Sequence, residues 1–372
     1  MTYALPLSAA ERWVNCPGSI ALSAVDPIDD PSPKRADGTA AAWVAAQVLR
    51  GEAVTLGQMA PNGVAVTAEM LDGADLYADA VRAVLAPEDM HIEEHLRAPS
   101  IHAEAVGDAD VWGVARNTGI LHVFEYKFGH RYVDEFENWQ GAGYAIAAMD
   151  LLLNEYDEQT QVVEFTVVQP RYFGPRPQIR TWRTSMVELR GMRNQLAHAA
   201  DVAQRPDPPT RVGSYCRTCP ARHRCVTLQT GATAEAEYAG IATPFALDIH
   251  QASHELRLIE KASAILDARA DALKIEITAA LSRGQRSRHY QLTRTQPREA
   301  WKADSIDGVL GAAALLGVTV AKPPALITPN QARKAGLPAA LVDSATHRPL
   351  GELTLAPIDI NAARKAFGGN TQ

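Results

Sequence analysis

The stretch LHVFEYKFGH, residues 121–130, decides how this chain is interpreted. Its β-branched and aromatic run predicts a strand over residues 120–128. Strand residues two apart project from the same face, so Glu125 and Lys127 share a face near the end of that strand. The pair is either an ordinary surface ion pair or half of a metal-dependent active site, and the neighbouring motifs must decide between them.

The elements around this strand predict an α/β core with a mixed sheet. Two helices come first, then two strands and an Asn117-Thr118-Gly119 hairpin turn that leads into the 120–128 strand. A helix, two strands and another helix follow. The predicted ranges are helices over 37–50, 67–85, 136–154 and 186–204, and strands over 91–105, 107–115, 161–171 and 177–185.

The rest of the chain changes character after the last cysteine. One long helix is predicted over residues 249–283, and a small C-terminal α+β module of unknown role follows. The predicted organisation is therefore a core domain over 1–230, a helical segment over 231–290 and the small module over 291–372.

Composition narrows the function classes. No stretch is long and apolar enough to cross a bilayer, and the N-terminus lacks the order of a signal peptide, so we expect a cytoplasmic protein with no membrane partner. The net charge of −7 does not mark a nucleic-acid binder, yet arginine is concentrated in residues 171–183 and 282–298, beside aromatic residues. The sequence contains no GxSxG, HExxH or Walker motif, which argues against a serine hydrolase and an ATP-driven motor.

The four cysteines are unevenly placed. Cys16 stands alone near the start, whereas Cys216, Cys219 and Cys225 form a C-x2-C-x5-C cluster. In a reducing compartment this density favours metal ligation over disulfides or free buried thiols. Four thiolates hold either Zn²⁺ or a [4Fe–4S] cluster.

Carboxylates accompany the lysine on neighbouring strands. Asp110 lies in Gly107-Asp108-Ala109-Asp110 and approaches Glu125 if the two strands are antiparallel neighbours. Two carboxylates suit Mg²⁺ or Mn²⁺, and Lys127 would then position a water molecule or stabilise charge on a phosphate. Unpaired charge on apolar strands is costly, which favours a functional interpretation over a salt bridge.

A pair of polar residues follows on the next predicted helix. Gln140 and Tyr144 are four residues apart and share one helical face. They either contact a nucleic-acid backbone, orient the lysine, or belong to an ordinary amphipathic helix.

Taken in order, GDAD, EYK and QGAGY resemble the RecB-like branch of the PD-(D/E)xK nuclease superfamily. The cysteine layout is similar to that of its iron–sulfur members, such as the AddAB-type helicase-nucleases and the CRISPR adaptation nucleases. ERWVNCPGSIALS, ENWQGAGYA and the closing TPNQARKAG and LTLAP segments resemble a family of uncharacterised phage and prophage proteins in that branch.

The resemblance implies a PD-(D/E)xK core with a four-cysteine staple and a role for each motif residue. Asp110, Glu125 and the carbonyl of Tyr126 would bind Mg²⁺ or Mn²⁺. Lys127 would act on the water or on the scissile phosphate. Gln140 and Tyr144 would support these groups. Either Glu93 or Glu94 would lie further from the metal. A [4Fe–4S] cluster, with Zn²⁺ as the alternative, is implied at Cys16, Cys216, Cys219 and Cys225.

The sequence departs from this pattern at Ala42. Related nucleases often carry a metal-binding histidine after a Gly-Thr pair, and here Gly38-Thr39 leads to alanine at that position. Either this branch works without the imidazole, or the protein is impaired, or the chain carries an inactivating substitution.

We therefore expect a metal-dependent DNA nuclease, an exonuclease acting on single-stranded DNA or duplex ends in phage recombination, repair or replication, with phage recombination or replication proteins as partners. The alternative is a nuclease-fold protein that binds DNA or scaffolds a complex without cutting.

Overall fold

The computed structural model describes most of the chain. The described residues are 2–25, 27, 33–152, 156–159, 161–173, 176–238, 248–294, 300–302, 305–322, 325–326, 332–333, 336–347 and 353–357. Most of the TPNQARKAG segment and the end of the second arginine-rich segment lie outside the described residues.

The chain forms two compact units, residues 1–270 and 271–372. The division falls inside the long helix that was predicted from residue 249, and that helix spans Ile249–Ser282. The domain boundaries at 230 and 290 that the sequence suggested stay predictions.

A six-stranded mixed sheet forms the centre of the first unit. The strand order is β1-β3-β4-β5-β6, with β2 also paired to β3. β4 and β5 are parallel, as are β1 and β3, and the remaining pairs are antiparallel. The strands are β1 (Leu5–Pro6), β2 (His91–Arg97), β3 (Ala105–Val114), β4 (Leu121–Tyr126), β5 (Val162–Val168) and β6 (Ile179–Ser185).

Helices cover both faces of this sheet, which confirms the predicted α/β class. The helices of the first unit are α1 (Ala10–Asn15), α2 (Gly18–Val25), α3 (Pro33–Leu49), α4 (Ala68–Arg82), α5 (Trp139–Leu152), α6 (Met186–Ala203), α7 (Val226–Tyr238) and the long α8 (Ile249–Ser282), which continues into the second unit. One core packs α1, α5 and α6 on the sheet, and a second packs α3 and α4 on its other side.

Strand β4 shows why this sheet is covered on both faces. All six of its residues are buried. Leu121 and Val123 belong to the first core, and Phe124 and Tyr126 to the second. A strand buried on both sides is mostly apolar, and His122 and Glu125 are the two buried polar residues of this one.

Local signals set several element boundaries. The predicted turn joins β3 to β4, with Gly119 at a φ of 68° and its amide donating to Ala115 O at 2.7 Å. Thr67 caps α4 by accepting from the Met70 amide, and Ser185 and Glu188 form a capping box at the start of α6.

Among its described residues, the second unit combines short strands with the helices α9 (Ile306–Leu315) and α10 (Ala339–Ala345). Val309, Leu337 and Val342 are among the residues of its small core. The strands, all in antiparallel pairs, are β7 (Tyr290–Arg294) with β12 (Leu353–Pro357), β8 (Ala300–Trp301) with β11 (Thr346–His347), and β9 (Ala321–Lys322) with β10 (Ala325–Leu326).

Within the described ranges, none of the helices is both long and apolar enough to cross a bilayer.

Gly141 allows α5 to approach the sheet closely, which gives a test of the packing. A Cβ at Gly141 would lie 2.5 Å from ring atoms of Phe165 on β5. We expect Gly141→Ala to lower the free energy of unfolding by about 1–3 kcal/mol through overpacking, measured by urea denaturation.

The matched control is Gly191→Ala on α6, where no heavy atom of the described residues lies within 4 Å of the added Cβ. That substitution should raise stability by roughly 0.5–1 kcal/mol, because alanine favours the helix. Equal unfolding midpoints for the two variants would contradict the close approach of α5.

Candidate functional site

The predicted carboxylates meet where β3 and β4 pair. Val111 is opposite Phe124 in this antiparallel ladder, so Asp110 and Glu125 are next to each other in register. The Asp110 carboxylate also accepts a hydrogen bond from the Tyr126 amide at 2.7 Å. Asp110 is thus held against the backbone of Tyr126, whose carbonyl was expected to bind the same metal ion.

Glu125 is buried, with 4% of its surface exposed, and has two polar partners. Lys127 forms an ion pair with it, and the Gln140 side-chain amide donates to its other oxygen at 2.8 Å. Lys127 Nζ also donates to Gln140 Oε1 at 3.5 Å. The carboxylate, the ammonium and the amide therefore hold one another in place.

The start of α5 places Gln140 in this arrangement. The helix begins at Trp139, and Asn138 accepts from the Gly141 amide at 3.0 Å, as an N-cap does. Because Gly141 has no side chain, this first turn lies directly against β5.

Tyr144 supports the strand that carries Asp110. Its hydroxyl donates to the Asp108 carbonyl at 2.8 Å. Its ring covers Gly107, where an added Cβ would lie 2.9 Å from Tyr144 Cε1. The glycine and the tyrosine of the two motifs are therefore direct packing partners, which their separation in sequence does not reveal.

The structure distinguishes Glu93 from Glu94. Glu93 lines a pocket together with Asp110 and Tyr126. Glu94 instead accepts from Trp112 Nε1 at 2.9 Å and pairs with His91 at 2.8 Å. Glu93 has a φ of 53°, which is uncommon for a residue other than glycine and is the kind of strain found at functional sites.

The same pocket contains Ala42, at the position where a histidine was expected. Its empty volume is about 180 Å³, including space open to solvent, and Ala45, Ala46 and Leu49 of α3 line it beside Ala42. The alanine therefore lies within the carboxylate site and not elsewhere on the helix.

Tyr77 of α4 also lines this pocket, although no sequence motif singled it out. Its ring packs against Tyr126, with centroids 5.0 Å apart. Its buried hydroxyl has no hydrogen-bond partner among the described residues. An aromatic residue on an amphipathic helix is ordinarily a core residue, so only the structure identifies its position here.

The segment between Lys127 and Gln140 is held by two buried side chains. Gln169 donates to the Gly129 carbonyl at 2.8 Å, and Arg180 donates to the Val133 carbonyl at 2.9 Å. Arg180 is additionally bonded to Gln169 at 2.9 Å. This bracing fixes the loop that joins two residues of the site.

The electrostatics of the site favour a bound cation. Burial raises the pKa of Asp110 well above its ordinary value, and the neighbouring Glu125 raises it further. Burial also raises the pKa of Glu93, to which Asp108 and Glu125 contribute. For Lys127, burial lowers the pKa, but Glu125 and Asp110 more than compensate, so its pKa is raised and the ammonium form persists.

The four cysteines line one pocket away from these carboxylates. Its empty volume is about 300 Å³, including space open to solvent. Three sulfurs accept backbone amides: Cys16 from Arg211 at 3.3 Å, Cys216 from Gly213 at 3.4 Å, and Cys225 from Leu228 at 3.4 Å. Burial raises the pKa of the Cys216 thiol to about 11 and also raises the pKa of Cys16.

Neither pocket contains a finished metal centre. Within the part of the chain that the structure describes, no three His, Cys, Asp or Glu side chains adopt the arrangement of a metal site. The residues that the sequence singled out are brought together, but their ligation of a metal remains a prediction.

The fold and the site define a mixed α/β protein with a carboxylate–lysine site at its central strands and a separate four-cysteine pocket. A family model described as "Protein of unknown function (DUF2800)" matches residues 4–360, nearly the whole chain. The chain belongs to this family.

Asp110 gives a prediction about stability. Its raised pKa means that the native state binds a proton more tightly than the unfolded state, so stability falls as pH rises from the unfolded pKa to the native one. In metal-free buffer near pH 7, we expect Asp110→Asn to raise Tm by about 2–4 °C. The gain should vanish near pH 3.5, where Asp110 is protonated in both states.

The control is Asp201→Asn, at an exposed position on α6. It should leave the Tm of the chelator-treated protein within about 1 °C at both pH values. A lower Tm for Asp110→Asn at neutral pH would contradict this prediction, because it would show that the site stabilises the ionised carboxylate of Asp110.

Proposed function

We propose that this protein is a divalent-metal-dependent deoxyribonuclease with a RecB-like PD-(D/E)xK core, acting as an exonuclease in phage or prophage DNA recombination, repair or replication. The observation that carries the proposal is the mutual contact of Glu125, Lys127 and Gln140 beside Asp110. A buried carboxylate bonded to an ammonium and an amide is an expensive arrangement to maintain for structure alone.

The donor set suits Mg²⁺ or Mn²⁺. Asp110, Glu125 and the Tyr126 carbonyl are hard oxygen donors. The pKa of Asp110 is raised first by burial and then by the neighbouring Glu125, and a bound cation would offset both effects. When bound, the metal would polarise the phosphate and activate water.

The protein's own groups have separate tasks in this proposal. Lys127 has a third of its side chain exposed, so its ammonium is able to stabilise negative charge on a phosphate or orient the attacking water. Gln140 holds Glu125 and Lys127 at a fixed separation. Tyr144 fixes the backbone of Asp108 and thereby the strand that presents Asp110.

The four cysteines are proposed to hold a [4Fe–4S] cluster, with Zn²⁺ as the alternative. The shared pocket and the amide donors to three of its sulfurs support a thiolate centre, because N–H donors to sulfur stabilise negative charge there. Such a centre would tie the connection between α1 and α2 to the loop after α6 and couple metal loading to folding.

The proposed partners are DNA, as single strands or duplex ends, and phage recombination or replication proteins. Exposed arginines beside the loops at the carboxyl ends of β4 and β5, such as Arg131 and Arg176, suit phosphate contact. No membrane partner is proposed, and a cytoplasmic location is the matching expectation.

A second candidate function is DNA binding or scaffolding by a nuclease fold that has lost its chemistry. Ala42 favours it, because this alanine lines the carboxylate pocket where an imidazole would supply a further metal ligand.

Nuclease activity separates the two candidates. With Mg²⁺ or Mn²⁺ we expect the protein to degrade labelled linear or single-stranded DNA but not covalently closed circles. Glu125→Ala and Lys127→Ala should each reduce the rate by at least about 10²-fold, since the first removes a proposed metal ligand and the second removes the positive charge that would stabilise the phosphate.

The control is Lys274→Ala, an exposed lysine of the second unit, which should cut at the wild-type rate. All variants are first compared by thermal unfolding. If the folded wild-type protein cuts none of the substrates, the proposal of a nuclease is refuted and the DNA-binding or scaffolding function remains.

Ala42→His tests the missing ligand directly. If an imidazole enters the pocket, we expect the apparent Mn²⁺ affinity to tighten by about tenfold and the rate to rise, because a further nitrogen donor completes the site. Gln47→His on the same helix is the control. Equal Mn²⁺ titrations for the two variants would show that position 42 does not limit metal binding.

A further inference from the structure

A buried arginine lies in the wall of the cysteine pocket. Arg222 lines it together with all four cysteines and is only 6% exposed. One guanidinium nitrogen, Nη1, donates to the Cys219 carbonyl at 3.1 Å. The buried Nε has no hydrogen-bond partner among the described residues.

The charge of Arg222 is not balanced by an acid. Nowhere in the described ranges does an Asp or Glu form an ion pair with it, whereas Arg217 in the same loop pairs with Asp267 at 2.6 Å. Arginine stays protonated in proteins, and a buried cation without a counter-ion is strongly disfavoured. A negatively charged group in this pocket would balance that cation.

The cysteines are the groups able to supply it. As neutral thiols they bring no charge. Four thiolates around Zn²⁺ or around a [4Fe–4S]²⁺ core leave two net negative charges in either case. Either centre would therefore supply negative charge to balance Arg222.

We propose that Arg222 is the buried counter-charge of the four-cysteine centre and that it selects a dianionic, fully thiolate-ligated occupant. The inference rests on the cysteine centre of the proposed function. It assigns Arg222 a positioning and charge-balancing role and does not make it a ligand.

Arg211 provides a matched comparison within the same pocket. It also lines the pocket, but its side chain is exposed, and its contact with Cys16 is made by the backbone amide. Water screens the exposed guanidinium, so Arg211→Gln removes the same charge at little cost. Arg222→Lys keeps a positive charge, and Arg222→Gln removes it while retaining a donor for the Cys219 carbonyl.

The zinc experiment uses the full chain, freed of metal under reducing conditions and titrated with Zn²⁺ against a chromophoric chelator. We expect Arg222→Gln to weaken Zn²⁺ binding by about 10–100-fold, Arg222→Lys to remain within about threefold of wild type, and Arg211→Gln to bind like wild type.

The iron experiment uses anaerobic reconstitution with ferrous iron and sulfide. Visible absorbance measures how much cluster is held, and a redox titration measures its midpoint potential. Because a buried cation favours the more negative, reduced cluster, Arg222→Gln should shift that potential downward, whereas Arg211→Gln should not.

A purely structural role predicts a different pattern. If Arg222 only filled space, its replacement would lower the stability of metal-free and metal-loaded protein alike. Removal of an unbalanced charge should instead leave the metal-free protein at least as stable as wild type and destabilise only the loaded form.

The outcomes separate the two levels of inference. Wild-type Zn²⁺ affinity and wild-type cluster potential in Arg222→Gln would overturn the role of Arg222 and leave the cysteine centre standing. A wild-type protein that binds neither zinc nor iron would refute the cysteine centre itself, independently of the nuclease assay.

Discussion

The structure depends on how Glu125 is accommodated. It is the penultimate residue of β4, whose six residues are all buried, so its charge requires partners inside the protein. Lys127 supplies the opposite charge and Gln140 a hydrogen bond, and both constrain their surroundings. Lys127 fixes the end of β4, and Gln140 fixes the first turn of α5 against the sheet. The close approach of α5 to the sheet requires glycine at position 141. Hydrogen bonds from Gln169 and Arg180 hold the loop between Lys127 and Gln140.

Much of this arrangement follows from short-range periodicity. The alternation of strand residues predicts that Glu125 and Lys127 share a face, and the hairpin around Gly119 predicts that Asp110 reaches Glu125. The i to i+4 spacing predicts that Gln140 and Tyr144 share a helical face. These relations need only local geometry and one short turn, which is why the sheet order around β3 and β4 and the meeting of these residues could be anticipated from the sequence.

The remaining features depend on contacts between distant segments. Strand β1 is two residues long and is defined by its parallel pairing with β3, about a hundred residues later. Glu93 and Glu94 are both acidic residues of β2, and the sequence does not show which of them faces Asp110; in the structure Glu93 lines that pocket and has a φ of 53°. Tyr144 was expected near the lysine or nucleic acid, yet its hydrogen bond goes to a backbone carbonyl. Neither periodicity nor composition encodes such choices, because they are made by tertiary packing.

The two pockets present opposite electrostatic problems. At the sheet, burial and mutual repulsion raise the pKa of Asp110 and Glu93, so negative charge is in excess. At the cysteines, burial raises the pKa of Cys16 and Cys216 and so disfavours their thiolates, while Arg222 contributes a positive charge that no described acid balances. A divalent cation would relieve the first, and a metal centre that keeps all four thiols ionised would relieve the second. An occupant that binds the native state in preference to the unfolded chain would increase the stability of the fold at either pocket as well as complete a site.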